Sequence, residues 1–214
     1  MIIRFGALTL SLLLSAPMQA QEIISIGDSI MYWNGAQSIP AQLSRELGRP
    51  VEDRSLSGSQ VRTGFWNRRQ GLDIRAQLGD DRPDIVVMTG GGNDLGERCG
   101  CRAGCAEEAE ALLTEDGSGA LGEFLHDVVA DGTQVFVLGY PDPPTGGNDF
   151  SGCVADLRAL ADRLNALEGV ILVPAHQAID PADMSYYDAD RVHPSVKGSS
   201  VMAELLAAAI KASP

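Results

Sequence analysis

The most constraining feature of this sequence is the run DIVVMT at residues 84–89, which is apolar at every position from Ile85 to Met88. A half-exposed strand alternates apolar and polar residues, whereas a short run that is apolar throughout is typical of a strand buried on both faces. Sheets built from such strands are usually parallel and are covered by helices on each side. The run therefore predicts a parallel sheet packed between two helical layers.

Four further runs have the character of strands, and helical patterns separate them along the chain. The strands are predicted at residues 23–26, 51–56, 134–138 and 170–173. Helices are predicted near residues 40–47, 72–78, 106–113, 121–128, 154–167 and 195–211, where apolar residues recur at helical spacing. The remainder of 59–82 and residues 99–105 are expected to be loops. The alternation, without a hairpin signal, predicts the α/β class: a three-layer α/β/α sandwich around a five-stranded parallel sheet.

Residues 1–20 have the composition of a secretory signal peptide. One positive charge, Arg4, precedes an apolar stretch that ends near Leu14, and small residues lead to Ala20. This stretch is shorter than the roughly 20 residues that a membrane-spanning helix needs, and polar sequence follows it at once. We therefore expect cleavage after Ala20, a single mature domain at residues 21–214, and a secreted or periplasmic location. An uncleaved signal anchor is the alternative, but we expect no stable membrane anchor.

The chain is strongly acidic, with 16 Lys and Arg against 29 Asp and Glu and a formal net charge of −13. Nucleic acids and anionic lipid surfaces bind clusters of positive charge, so this balance argues against both as partners. The length that remains after the signal peptide suits one domain with a full hydrophobic core. We expect a monomer.

The four cysteines all lie after the signal peptide, at positions 99, 101, 105 and 153. An even number in an oxidising compartment predicts two disulfides. A bridge from Cys99 to Cys101 would close a very tight ring, which leaves two connectivities: 99–105 with 101–153, or 101–105 with 99–153. A zinc site is the alternative, but C-x-C-x3-C lacks the usual spacing of structural zinc ligands, and we expect no metal.

Polar residues with catalytic potential follow the predicted strands. Ser29 ends the sequence IISIGDS, where Gly27 permits a tight turn at the carboxyl end of the first strand. Gly58 follows the second strand, Asn93 follows the third, and the last predicted helix is preceded by DRVHP, which contains His193. Each feature alone has an ordinary explanation, such as a capping serine, a turn-forming asparagine or a histidine at a helix start.

In this order, G-D-S, S-G, G-x-N-D and D-x-x-H resemble the four sequence blocks of the SGNH (GDSL-like) hydrolase family. The resemblance covers nearly the whole mature chain. It implies the flavodoxin-like SGNH hydrolase fold with strand order 2-1-3-4-5. It also implies a catalytic triad and an oxyanion hole formed by two backbone N–H groups and an asparagine side chain. The residues it assigns are Ser29 as nucleophile, His193 as base and Asp190 as its partner, with Ser29, Gly58 and Asn93 as oxyanion donors.

The residues themselves support these roles. A serine nucleophile needs a base, a group that orients the base, and donors for the oxyanion. Of the three histidines, His126 lies in a predicted amphipathic helix and His176 follows the fifth strand without a fixed carboxylate neighbour, so both are expected to be structural. Asp183 and Asp188 are rivals of Asp190 that we interpret as solvated loop carboxylates. Asp28 and Asp94 are expected to bond local backbone N–H groups rather than substrate.

These features predict a cofactor-independent secreted serine esterase that hydrolyses small-acyl or carbohydrate-linked carboxylic esters. Trp33, Trp66 and neighbouring aromatic residues would stack on a sugar, line an acyl pocket or cap the core. The loops expected around the cleft carry few aliphatic residues, so short acyl groups are expected, with an optimum at acetyl or butyryl. The alternatives are a lysophospholipase or thioesterase acting on longer chains, and a non-catalytic carbohydrate-binding protein of the same fold.

Overall fold

The structure is a computed structural model that describes residues 22–101 and 104–213. Its centre is a five-stranded parallel sheet in the order β2-β1-β3-β4-β5, which confirms the expected fold class and strand order. The predicted signal peptide lies outside the described residues. The strands are β1 (Ile23–Ile26), β2 (Glu52–Asp53), β3 (Ile85–Met88), β4 (Gln134–Gly139) and β5 (Val170–Pro174).

Helices connect the strands and cover both faces of the sheet. Among the described residues, no helix combines the length and the apolar character needed to cross a bilayer. The α-helices are α1 (Ser29–Tyr32), α2 (Ile39–Leu47), α3 (Phe65–Arg69), α4 (Ile74–Leu78), α5 (Gly92–Cys99), α6 (Ala106–Leu112), α7 (Ala120–Ala130), α8 (Val154–Ala166) and α9 (Val196–Ala212).

The core has two halves because successive side chains of a strand point to opposite faces of the sheet. Val86 and Met88 of β3 pack in the half that contains the buried side chains of α4 to α8. Ile85 and Val87 of the same strand pack in the other half, which is built from α1, α2 and α9. All four side chains are fully buried, which explains why this strand is apolar at every position.

The second strand is shorter than the sequence predicts. Only Glu52 and Asp53 pair with β1, and both are exposed at the edge of the sheet, so no apolar pattern marks this strand. The chain nevertheless continues beside β1, because the Arg54 N–H donates to the Ser25 carbonyl (2.8 Å) and the Leu56 N–H donates to the Gly27 carbonyl (3.1 Å). This path brings the following loop alongside the end of β1.

Two helices are not predicted from the sequence: α3 lies in the segment expected to be a loop, and most of α5 lies at residues 93–98, for which no element is predicted. Helix α3 has no buried residue, so its sequence lacks the apolar periodicity on which a helix prediction depends. Helix α5 begins within the glycine-rich turn itself, and only Leu95 supplies a fully buried large side chain. In both cases the local sequence carries little of the signal that identifies a helix.

The cysteines form the first of the two expected connectivities, Cys99–Cys105 and Cys101–Cys153. The first bridge joins the end of α5 to the residue before α6. The second connects the loop between them with the start of α8, 52 residues further along the chain. The two bridges lie together, with the Sγ atoms of Cys105 and Cys153 3.8 Å apart.

This pairing predicts unequal contributions of the two bridges to stability. By loop-closure entropy, the bridge of sequence separation 52 should contribute about 4 kcal/mol and the bridge of separation 6 about 2 kcal/mol. Denaturant unfolding of C101S/C153S and C99S/C105S, with each variant retaining the other bridge, measures the difference. Free thiols in the unreduced mature protein, or equal losses for both variants, would contradict the pairing.

Candidate active site

The residues singled out in the sequence meet at the carboxyl edge of the sheet, where parallel strands bring their following loops together. Ser29 begins α1 directly after β1, Asn93 is the second residue of α5 after β3, and Gly58 lies in the loop beyond β2. Ser29, Gly58, Asn93 and His193 all line one cavity. Asp190 lies next to this cavity through its hydrogen bond to the His193 ring.

The turn before Ser29 requires a glycine. Gly27 has φ of 138°, and a Cβ atom there would lie 2.6 Å from Thr89 Oγ1 and 2.9 Å from the Thr89 carbonyl oxygen. The absence of a side chain thus lets the end of β1 approach the end of β3 closely. The next residue, Asp28, caps α1 by accepting the Ile30 N–H (3.0 Å), which fixes Ser29 at the helix start.

Asp28 also connects three other parts of the site. Its carboxylate accepts hydrogen bonds from Thr89 Oγ1 (2.9 Å) and from the Tyr140 hydroxyl, which in turn accepts the Gly92 N–H (3.1 Å). Burial raises the pKa of Asp28, and burial together with the neighbouring Asp28 raises the pKa of Tyr140 well above its usual value. Asp28 thus bonds one local backbone N–H, as expected from the sequence, and also two side-chain hydroxyl groups that the sequence did not indicate.

Asn93 and Asp94 hold the loop that contains Gly58. The Asn93 side-chain amide donates one hydrogen bond to the Ser59 carbonyl (3.0 Å), next to Gly58. The buried Asp94 carboxylate accepts the backbone N–H groups of Val61 (3.0 Å) and Arg62 (2.7 Å). Because an asparagine amide carries two N–H donors, Asn93 retains one for another partner.

Asp190 and His193 form a tight pair. The Asp190 Oδ2 atom lies 2.6 Å from His193 Nδ1, and Oδ1 accepts the backbone N–H groups of His193 (3.0 Å) and Val192 (2.9 Å). Partial burial acts to raise the pKa of Asp190, but these hydrogen bonds outweigh it and the pKa is lowered. The carboxylate is thus kept ionised beside the imidazole.

The two rival carboxylates have other partners. Asp183 accepts from Ser185 and from Lys197 Nζ (2.9 Å), and these hydrogen bonds lower its pKa to about 2. Asp188 accepts from Trp33 Nε1 at 2.6 Å. Neither side chain is bonded to the His193 ring, so the structure favours Asp190 as its partner.

Trp33 has a role that the sequence interpretation missed. Its ring stacks on the His193 imidazole, with 3.8 Å between ring centroids and 7° between ring planes. The imidazole is thereby held between the indole face and Asp190, while Asp188 fixes the indole from its nitrogen. The stack joins two residues that are 160 positions apart in the sequence, so no local pattern predicts it.

The cavity has a volume of about 270 Å³ and extends beyond the polar residues into the core. Its apolar wall comes mainly from secondary structure elements rather than loops: Val137 and Leu138 of β4, Leu157, Leu160 and Leu164 of α8, and Leu172 of β5. The apolar lining therefore comes from elements that also form the core, and the scarcity of aliphatic residues in the surrounding loops does not reveal it. His176, expected to be structural, also lines the cavity.

Sequence comparison identifies the class of protein. The model of the GDSL-like lipase/acylhydrolase family matches residues 25–201, and the chain belongs to this family. No curated protein sequence is similar enough to match the chain.

Solved structures agree with the observed fold. A putative SGNH hydrolase from Slackia heliotrinireducens is 21% identical, with a TM-score of 0.64 over 89% of this chain and 99% of the other. The lipase Lip_vut3 from a goat rumen metagenome is 19% identical, with a TM-score of 0.63 over 88% and 97% of the two chains. A family two carbohydrate esterase from Clostridium thermocellum is 18% identical, with a TM-score of 0.59 over 90% and 63%. At these identities the likeness concerns the fold alone.

The stack of Trp33 on His193 can be tested by fluorescence, because the chain has only two tryptophans. In a W66F background Trp33 is the sole indole, and H193A should change its emission intensity and maximum by exposing one ring face. In a W33F background the same H193A change should have no effect, since Trp66 is 72% exposed and lies outside the cavity. Identical emission spectra of W66F and W66F/H193A would contradict the stack.

Proposed function

We propose that this protein is a cofactor-independent serine esterase that hydrolyses carboxylic esters through Ser29, His193 and Asp190. The observation that carries the proposal is the joint placement of Ser29, Gly58, Asn93 and His193 around one cavity, with Asp190 paired to His193. This is the set of groups that acyl transfer to a serine requires. A non-catalytic carbohydrate-binding protein would have no use for the complete set.

In the proposed reaction the Ser29 hydroxyl attacks the ester carbonyl carbon. Nδ1 of His193 is engaged by Asp190, which leaves Nε2 to take the proton of the hydroxyl and then give it to the departing alkoxide. Water next attacks the carbonyl carbon of the acyl-serine ester and gives a proton to His193. His193 returns this proton to the Ser29 oxygen as the acyl–oxygen bond breaks and the carboxylic acid leaves. Trp33 acts as a positioning residue, because its stack restricts rotation of the imidazole during both transfers.

The negative charge that develops on the carbonyl oxygen would be met by three donors. We assign the backbone N–H groups of Ser29 and Gly58 and the second side-chain N–H of Asn93. Asp28 and Asp94 support these donors by fixing the loops that carry them. Donors that are held in place before the reaction stabilise the transition state most effectively, since no reorganisation is needed when the charge appears.

The apolar part of the cavity supports an acyl chain of intermediate length. An apolar cavity of about 150 Å³ holds a benzene molecule, so about 270 Å³ offers room for roughly six to eight carbons once the reacting group is placed. This exceeds the acetyl or butyryl optimum that the loops alone led us to expect. The apolar part of the cavity is also the observation that favours the alternative, a lysophospholipase or thioesterase. Such an enzyme would act on chains longer than roughly six to eight carbons.

We further propose that the protein works outside the cytoplasm, as a secreted or periplasmic enzyme. The signal-like composition of residues 1–20 and the two disulfides both support this location. N-terminal sequencing of the protein recovered from the periplasm or the medium tests it, with Gln21 expected as the first residue. Recovery of the full-length chain in the cytoplasm would contradict it.

Substitution of the nucleophile is the kinetic test of this function. S29A should lower kcat for p-nitrophenyl hexanoate by on the order of 10³-fold or more, because no other group supplies the attacking oxygen. S200A, on α9 and away from the cavity, is the matched control and should retain wild-type kinetics. Unchanged thermal unfolding of S29A would show that the fold is intact. Activity of S29A within tenfold of wild type would exclude Ser29 as nucleophile.

The cavity also predicts a chain-length profile. Since each buried methylene contributes about 0.8 kcal/mol, kcat/KM should rise from acetyl to hexanoyl or octanoyl esters and fall when the chain outgrows the cavity. The larger side chain of L157F, on the cavity wall, should move the optimum to a shorter ester. A maximum of kcat/KM at the acetyl ester would instead support the expectation of short acyl groups. A rise that continues beyond dodecanoyl would favour the lysophospholipase or thioesterase.

A further inference from the structure

A second groove, of about 350 Å³, opens beside the catalytic cavity. The two share Gly58, Asn93 and Phe150, so they meet at two of the proposed oxyanion donors. An ester has an acyl side and an alcohol side, and both extend from the carbonyl carbon. With the apolar cavity suited to the acyl side, the groove is in position to receive the alcohol.

The chemistry of this groove differs from that of the cavity. Its remaining lining residues are mostly polar or lack a side chain: Gln60, Gly96, Glu97, Gly100 and Asp149. The Glu97 carboxylate accepts hydrogen bonds from Gln60 Nε2 and from Asn67 Nδ2 (3.3 Å), so it is held in place without a bound ligand. Amide and carboxylate groups arranged in this way present both donors and acceptors to hydroxyl groups.

Helix α3 borders the groove through the bond between Asn67 and Glu97. The two preceding residues, Phe65 and Trp66, are 64% and 72% exposed, and their rings contact each other edge to face at 5.3 Å. Large aromatic side chains left in solvent beside a site are typical of a surface that binds a ligand. Neither aromatic side chain lines the groove itself, so the two rings would contact only a part of the ligand that extends beyond the groove.

The charge of the groove limits the kind of alcohol. Glu97 and Asp149 contribute two carboxylates, in a chain whose net charge is −13. The nearby cations Arg62 and Arg98 both pair with Glu108, at 2.6 and 3.3 Å, and are thereby partly neutralised. A phosphate or carboxylate on the alcohol would meet repulsion here.

We infer that this groove binds the alcohol portion of the substrate, and that this alcohol is neutral and polyhydroxylated, as in an acylated sugar or an acylglycerol. The inference rests on the proposed esterase function and adds to it the class of leaving group. It also separates the esterase from a thioesterase acting on coenzyme A thioesters, whose thiol leaving group carries several phosphates.

The test compares hexanoyl esters that differ only in the group released: methyl 6-O-hexanoyl glucoside, monohexanoyl glycerol, ethyl hexanoate and hexanoyl-coenzyme A. p-Nitrophenyl hexanoate serves as the reference for the catalytic residues. We expect kcat/KM for at least one polyhydroxylated ester to exceed that for ethyl hexanoate by about tenfold or more, because hydroxyl groups would bond the groove. The glucoside and the glycerol ester distinguish a sugar from a glycerol preference.

We divide kcat/KM for the preferred ester by kcat/KM for p-nitrophenyl hexanoate. In E97Q and in D149N this ratio should fall by about tenfold, because each substitution replaces a charged hydrogen-bond acceptor with a neutral one. E123Q removes the same charge from an exposed position on α7, outside the groove, and should leave the ratio unchanged. Equal rates for the polyhydroxylated and ethyl esters, or a preference for the coenzyme A ester, would overturn the inference while the esterase function stands. Inertness toward p-nitrophenyl hexanoate would overturn both.

Discussion

The buried carboxylate of Asp28 joins the start of α1 to the segments that follow β3 and β4, and the arrangement of the site depends on these hydrogen bonds. It accepts the Ile30 N–H at the start of α1, the Thr89 hydroxyl at the end of β3 and the Tyr140 hydroxyl after β4, and Tyr140 then accepts the Gly92 N–H of α5. A buried carboxylate is costly unless its oxygens are bonded, so the surrounding elements must keep their positions for the fold to be stable. The same bonds fix the residues on either side of the cavity.

Much of this arrangement could be predicted from the sequence, because it follows from local patterns. Fully apolar runs such as residues 85–88 identified buried parallel strands, and the order of the four short blocks placed Ser29, Gly58, Asn93 and His193 at one edge of the sheet. The cysteine spacing reduced the disulfides to two pairings but did not choose between them. That choice depends on where α8 meets the loop after α5, which is a contact distant in the sequence.

The features that could not be predicted arise from contacts without a local signature. Helix α3 has no buried residue and so lacks apolar periodicity, and α5 begins in a glycine-rich turn. The apolar wall of the cavity comes from β4, β5 and α8, whose side chains serve as core and as lining at once. Trp33 reaches His193 across 160 positions of sequence, and only the folded chain brings the two rings together.

If Ser29 is the nucleophile and His193 activates it, a covalent probe for activated serines should label Ser29. A fluorophosphonate reacts with an activated serine by forming an oxygen–phosphorus bond with loss of fluoride, and the product survives proteolysis and mass spectrometry. We expect one equivalent of label on the peptide that contains Ser29 and a much slower reaction in H193A. Labelling of a different residue, or equal rates with and without His193, would contradict it.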